Sequence, residues 1–352
     1  MLAAARPSPN LPSLYRVHLA FNPFQTPELH TLKSTRFPGA QMMESLPIDT
    51  AHPAVRDYLA LIRLQVLTPL SLLINIATVV VCSFVLDPGL GRISDLYPST
   101  IAPNSWLIAV YVVLIYVGQI GYCLLLVLAR KPETKNTLVK GVGLPLVIAN
   151  WVMALWAIAW VLQAFLLSTI ALGVLLVLLL YANLVLLVYH KPTGSRPFDV
   201  MFIHAPLRAF MLWPLMIMFP YSLFITLGYT FSPGEPQHYA RHQWAGFGVL
   251  LGVNLLGLLV VVLRRDIVWC VSACWMCASI WSRSPKPMPV WLTAVLFTIA
   301  HPLALVVSAL WARFRRPREG AITLPPDEEE HVRSGGHRQE GPREVDVDAL
   351  WG

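Results

Sequence analysis

His204 and Arg208 form an ionisable pair set inside a long apolar run of this 352-residue chain. Four residues apart, they share one face of a helix. Pro206, Pro214 and Pro220 around them each remove a backbone donor and can kink or open that helix. An arginine facing a cavity at this depth would hold an anionic headgroup or substrate. Two turns from a membrane edge it would instead run its aliphatic stem along apolar surface and keep its guanidinium at the interface. Polar amides recur in the other apolar runs at Asn75, Gln119, Asn150, Asn183 and Asn254. Hydrocarbon cannot satisfy an amide, so each is expected to bond a neighbouring helix, and several together could line a polar pocket. Asn150 sits near Trp156 and Trp160, two indoles that share a helical face and lie away from the segment ends. These three, with Asn183, His204 and Arg208, are the candidate ligand positions.

The acids exclude more chemistry than they suggest. Between Leu64 and Trp311 they are Asp87, Asp95, Glu133, Asp199, Glu235 and Asp266, each mapping to a loop or a segment end. Proton- and cation-coupled carriers commonly need an ionisable group at mid-membrane, and hydrolases of the His-Glu-x-x-His kind need a carboxylate base. The chain is therefore expected to be no enzyme, with no catalytic residue and no cofactor. Cys270, Cys274 and Cys277 recur at i, i+4 and i+7, but no nearby histidine or further cysteine completes a zinc set, so no metal is expected.

These residues are positioned by segments whose character is unambiguous. Gly141 to Tyr189 contains no Asp, Glu, Lys, Arg or His. A single helix of that length would reach roughly 73 Å, more than twice the ~30 Å hydrocarbon core, so the run must cross twice. With 56% hydrophobic and 13% charged residues and a mean hydropathy of +0.60, the chain is an all-α polytopic transmembrane helical bundle. About eight spans are expected, at about 65–86, 105–129, 143–164, 167–189, 202–230, 245–263, 267–282 and 289–312. The seventh is short for a span. They form a helical domain over 63–312, between mostly disordered cytosolic tails at 1–62 and 313–352, with a short helix near Val55 to Leu64.

Lys and Arg set the orientation. Arg130, Lys131, Lys135, Lys140, Arg264, Arg265 and the cluster from Arg313 lie on the side of the N-terminus, whereas Arg92, Arg241, Arg283 and Lys286 lie opposite. Both termini are therefore expected in the cytosol. The net charge of +7 sits beside apolar segments, which points to membrane lipids as partners and not to nucleic acid. Trp106, Trp244, Trp269, Trp281, Trp291 and Trp311 fall at segment ends, where indoles anchor at the headgroup boundary. Asn22, Pro23 and Phe24 match a tripeptide read by endocytic adaptors, and Tyr58 to Leu61 fits a tyrosine-based sorting pattern.

The order of these marks resembles a fungal family of multi-span integral membrane proteins of unknown function. The resemblance runs through Phe21-Asn-Pro-Phe24, the Leu107–Val127 span with Gln119, the Asn150-bearing third span and the Leu175–Tyr189 span with Asn183. It continues with His204-Ala-Pro-Leu-Arg208 at the start of the fifth span and with the Trp291–Trp311 span. It implies a membrane fold and no activity. A fainter resemblance is to the tryptophan-rich sensory or translocator family, which binds porphyrin- or sterol-like apolar ligands in a five-helix bundle. This chain has more spans, and its third segment spaces the tryptophans differently. Two functions follow as expectations. One is a non-enzymatic facilitator, receptor-like or scaffold component of a plasma membrane or endomembrane. The other is a binding protein or passive carrier for an apolar or amphiphilic small molecule or lipid, using Asn150, Trp156 and Trp160 against Arg208.

Overall fold

The structure is a computed structural model that describes residues 53–190, 196–234 and 236–315. Twelve helical stretches follow one another among them: α1 (Pro53–Val80), α2 (Leu90–Leu96), α3 (Ser105–Leu128), α4 (Pro132–Asn136), α5 (Gly143–Val161) and α6 (Phe165–Tyr189), then α7 (Pro197–Asp199), α8 (Ala205–Trp213), α9 (Phe219–Thr226), α10 (Gln243–Arg264), α11 (Ile267–Trp281) and α12 (Met288–Arg315). Wider π turns continue α1 through Val85 and join α7, α8 and α9. Seven of the resulting helices are long and apolar enough to cross a membrane: Val55–Val85, Ser105–Leu128, Glu133–Val161, Phe165–Tyr189, Pro197–Thr226, Gln243–Arg264 and Met288–Phe314. The eighth segment is α11, at 15 residues about 22 Å long.

The ends of the helices gather at two faces. At the first face, Lys140 pairs with Asp57 at 3.1 Å, and Arg196 lies 3.4 Å from both Glu133 and Asp199. Thr134 donates to both carboxylate oxygens of Asp199 at 2.9 and 3.1 Å, and Thr137 bonds the His190 ring at 3.1 Å. These contacts join the start of α1, the α3–α5 connection and the end of α6. Burial, together with Arg196 and Lys140, lowers the proton affinity of His190.

The second face is tied by the segment between α1 and α3. Tyr97 donates to Gln163 in the α5–α6 turn at 2.8 Å, and the Tyr221 hydroxyl meets the carbonyls of Ser94 and Tyr97 at 3.0 and 2.9 Å. Gln163 holds φ +56°, the left-handed conformation that lets so short a turn close. Arg283, just past α11, donates to Ser94 Oγ, Ser94 O, Pro103 O and Asp95 Oδ1 at 3.1, 3.1, 2.9 and 2.8 Å. Lys286 donates to Thr100 O and Ala102 O. Because Asp266 at its other end pairs with Arg208 on the opposite side, α11 runs from the first face to the second despite its length.

Two boundaries differ from the sequence expectation. The first helix starts at Pro53, so residues 53–62 join the helical domain. Tyr58 and Leu61 lie within it, in the stretch where a short helix is expected, so the sorting pattern is helical. The last helix reaches Arg315, three residues past the expected limit of 312. Asn22, Pro23 and Phe24, and the remainder of both tails, lie outside the described residues.

Arg283 is the main polar tie at the second face. Replacing it with Met, which keeps the stem and removes the fork, is expected to lower stability by on the order of 2 kcal/mol, seen as an earlier thermal unfolding transition in detergent. Arg283→Lys restores little of it, because an ammonium cannot reach several divergent acceptors at once. A variant melting with the parent would show that these bonds do not hold α11 to the loop.

Candidate functional site

The tryptophan pair expected to line a pocket is packed solid. Trp156 and Trp160 are 4% and 1% exposed. Trp156 meets Trp213 edge-on at 5.0 Å, Trp160 meets Phe165 edge-on at 5.6 Å, and Trp160 and Tyr221 are also 5.6 Å apart. Trp160 Nε1 donates to Leu90 O at 3.3 Å, toward the second face. These rings lock α5 to α2, α6, α8 and α9.

Most of the amides are assembly bonds. Asn75 Nδ2 on α1 donates to Asn150 Oδ1 on α5 at 3.0 Å, and Tyr116 on α3 donates to Asn75 Oδ1 at 3.3 Å, so three helices meet at one polar knot. Asn183 on α6 donates to Leu179 O at 2.8 Å and to Leu207 O on α8 at 3.3 Å. Tyr111 donates to Ala209 O on the same broken segment at 2.9 Å. Neighbouring helices thus serve carbonyls close to the prolines of the fifth segment. Asn254 on α10 accepts from Cys277 on α11 at 3.0 Å. Cys274 donates to Thr298 O, the carbonyl that Pro302 leaves without its usual partner, at 3.5 Å.

Arg208 is committed to an acid that precedes α11. Its Nη1 lies 2.7 Å from Asp266 Oδ2, with side-chain exposures of 15% and 5%. The other carboxylate oxygen caps α11, accepting from the backbone N–H groups of Val268 and Trp269 at 3.1 and 3.2 Å. One carboxylate thus supplies both the cap of α11 and the counter-ion of Arg208. The fold therefore does not bring Arg208 to Trp156 and Trp160, which reach toward the opposite side. His204 is buried at 3% exposure, one turn from Arg208, with its Nδ1 unpartnered.

Gln119 differs from the other amides. It is 2% exposed, and neither Nε2 nor Oε1 has a hydrogen-bond partner. It lines a cavity of ≈ 10 Å³ between α3, α5 and the fifth segment, where Tyr122, Leu146, Phe202, Pro206 and Phe210 also contribute. That volume suits about one water molecule. The Tyr122 hydroxyl already donates to Leu138 O at 3.1 Å, so the uncommitted side-chain polar atoms among the lining residues are those of Gln119.

Two glycines create this proximity. A Cβ on Gly118 would come within 2.6 Å of Pro206 Cγ, and one on Gly121 would overlap the Phe202 ring. The backbone of α3 therefore lies against the fifth segment on both sides of Gln119. Phe202 is half-buried and stacks on Phe198 at 6.5 Å with the rings 3° apart, and Phe198 is 65% exposed. Phe202, which lines the cavity from within the π turn Val200–His204, thus stands between it and the exposed Phe198. Sequence reading placed Gln119 among the amides but passed over Phe202; the available signal was Gly118-Gln-Ile-Gly121, two small residues three apart flanking an amide.

The family model described as TSPO-like protein matches residues 65–309. The chain belongs to the TSPO-like protein family. The matched stretch takes in the membrane-length helices almost entirely, along with the Gln119 cavity and the Arg208–Asp266 pair. No curated protein and no solved structure matches the chain. The fainter of the two sequence resemblances is therefore the one that the family match carries.

The charge pair of this TSPO-like protein yields a thermodynamic test. Arg208→Met leaves the Asp266 carboxylate buried without its counter-ion and is expected to cost about 3–5 kcal/mol. Arg208→Met combined with Asp266→Asn, which keeps a capping oxygen, recovers most of that. Thermal unfolding of both variants in the same detergent measures the difference. Equal melting of the single and double variants would mean that the pair is not a desolvated unit.

Proposed function

We propose that this TSPO-like protein is a non-enzymatic binding protein, or passive carrier, for an amphiphilic small molecule whose polar end is seated at Gln119. The observation that carries the reading is the amide itself. It is buried, offers both a donor and an acceptor, and has no protein partner, in a cavity whose walls are otherwise mainly apolar. Leaving such a group unpaired costs roughly 1–3 kcal/mol, which a ligand supplying the partners would return as affinity. Small-molecule sites are typically apolar with a few convergent polar groups, and this one has that composition at a small volume.

Entry is lateral, from the lipid side past Phe198 and Phe202. The polar end enters the cavity while the apolar body remains against the half-exposed aromatic pair. Family membership supports ligand binding, since the tryptophan-rich sensory or translocator proteins that it resembles take apolar ligands. A receptor-like or scaffold role draws its support from the locked Trp156–Trp160–Trp213 core and does not use the unpartnered amide.

The orientation proposed with this reading places the first face, with Lys140, Arg264 and Arg265, at the cytosol of a plasma membrane or endomembrane. Tags at residues 1 and 352 should then report the same side in protease protection of sealed vesicles. Opposite sides would refute the orientation.

A photoreactive alkyl-chain amphiphile with a hydrogen-bonding end tests the site. Crosslinks mapped by mass spectrometry are expected at Phe202, Ile203 and Leu207. Leu146→Trp, which fills the cavity, should reduce them at least tenfold, and Phe202→Ala should raise those at Ile203 and Leu207. Labelling spread evenly over the lipid-facing helices and indifferent to Leu146→Trp would overturn the reading.

A further inference from the structure

The chemistry of the Gln119 cavity restricts what the polar end can be. A primary amide presents an N–H donor and a C=O acceptor side by side, in one plane. Both are uncommitted here. A group that satisfies them together must offer an acceptor and a donor with the same adjacency, closing a ring of two hydrogen bonds. An un-ionised carboxylic acid does this, and so does a primary carboxamide. A hydroxyl or an ester satisfies the pair less completely, because the ester has no donor and the hydroxyl has a single oxygen.

The surroundings favour the neutral acid over its carboxylate. Val142, Leu146, Ile203, Leu207 and Phe210 form apolar walls, and an anion entering them would be desolvated. The nearest guanidinium along the fifth segment, Arg208, is already committed to Asp266 at 2.7 Å. A carboxylate would also face Gln119 with acceptors only, leaving one side of the pairing repulsive. The apolar face that Phe198 and Phe202 turn outward suits an alkyl chain lying along it.

We propose that the ligand class is the protonated long-chain fatty acid, its carboxyl group paired with the Gln119 amide and its chain running past Phe202 to the bilayer. This rests on the binding-protein reading above. The cavity as closed holds about one water, so the carboxyl enters as the Phe202 ring moves toward Phe198.

Protein in detergent at mild acidity is titrated with palmitic acid, palmitamide, palmityl alcohol and methyl palmitate, each competing against the photoreactive amphiphile. Acid and amide should compete at least tenfold better than the ester, with the alcohol between. Gln119→Leu, which keeps the volume, should erase that ranking while leaving weak chain-dependent binding. As the pH rises through the acid's ionisation, its competition should fall while that of palmitamide stays level. If all four compete equally and Gln119→Leu changes nothing, the acid assignment and the seat at Gln119 are both wrong, while saturable binding of an amphiphile stands. If none competes and the parent protein shows no saturable labelling, the binding-protein reading fails and takes this inference with it. Acid competing without the amide, and better at high pH, would identify an anion-binding site and overturn the neutral-acid assignment.

Discussion

Inside hydrocarbon every polar group has to find its partner within the protein, and much of this molecule can be read as the working out of that demand. It falls hardest on α11. With 15 residues it is the shortest of the eight apolar segments, and the first amides and the connection after its last turn each need partners beyond the helix. Asp266 meets the first problem with one oxygen and draws in Arg208 with the other; Arg283 meets the second by gathering the carbonyls of Ser94 and Pro103. Both arginines come to rest against the neighbours of α11 and fix where it stands.

The same demand sorts the amides. Asn75 donates to Asn150 Oδ1 across α1 and α5, Asn183 turns to a carbonyl of the proline-broken fifth segment, and Asn254 receives a thiol. Gln119 departs from the pattern through the same close packing that holds the others. Gly118 and Gly121 let Pro206 and Phe202 press on α3, and those two side chains bring no donor or acceptor to the amide between them. Close approach of two helices, usually a source of packing energy, here isolates a polar group.

Aromatic packing divides the interior into parts with different capacities. On the second-face side, Trp156, Trp160, Trp213 and Tyr221 fill the centre at near-complete burial. Toward the first face, the fifth segment carries the π turn Val200–His204 and Pro206, and its backbone is held partly by bonds from other helices.

Much of the architecture was legible in the residues alone. A run of uncharged residues long enough to cross twice, and further apolar runs with polar breaks, leave the chain no soluble option, because burying so much apolar surface requires lipid. The amides could be named as partners-in-waiting for the same reason. Which atom each would meet could not be read off, since pairing depends on helix positions separated by tens of residues. Arg208 looked like a group that either reached the surface or faced a cavity; only the packed fold brought Asp266, 58 positions away, within hydrogen-bonding distance. Trp156 and Trp160 looked like pocket walls until Trp213 and Tyr221 closed on them. Local composition decides what must leave water, whereas the partner that each polar group receives is settled by which helices come together.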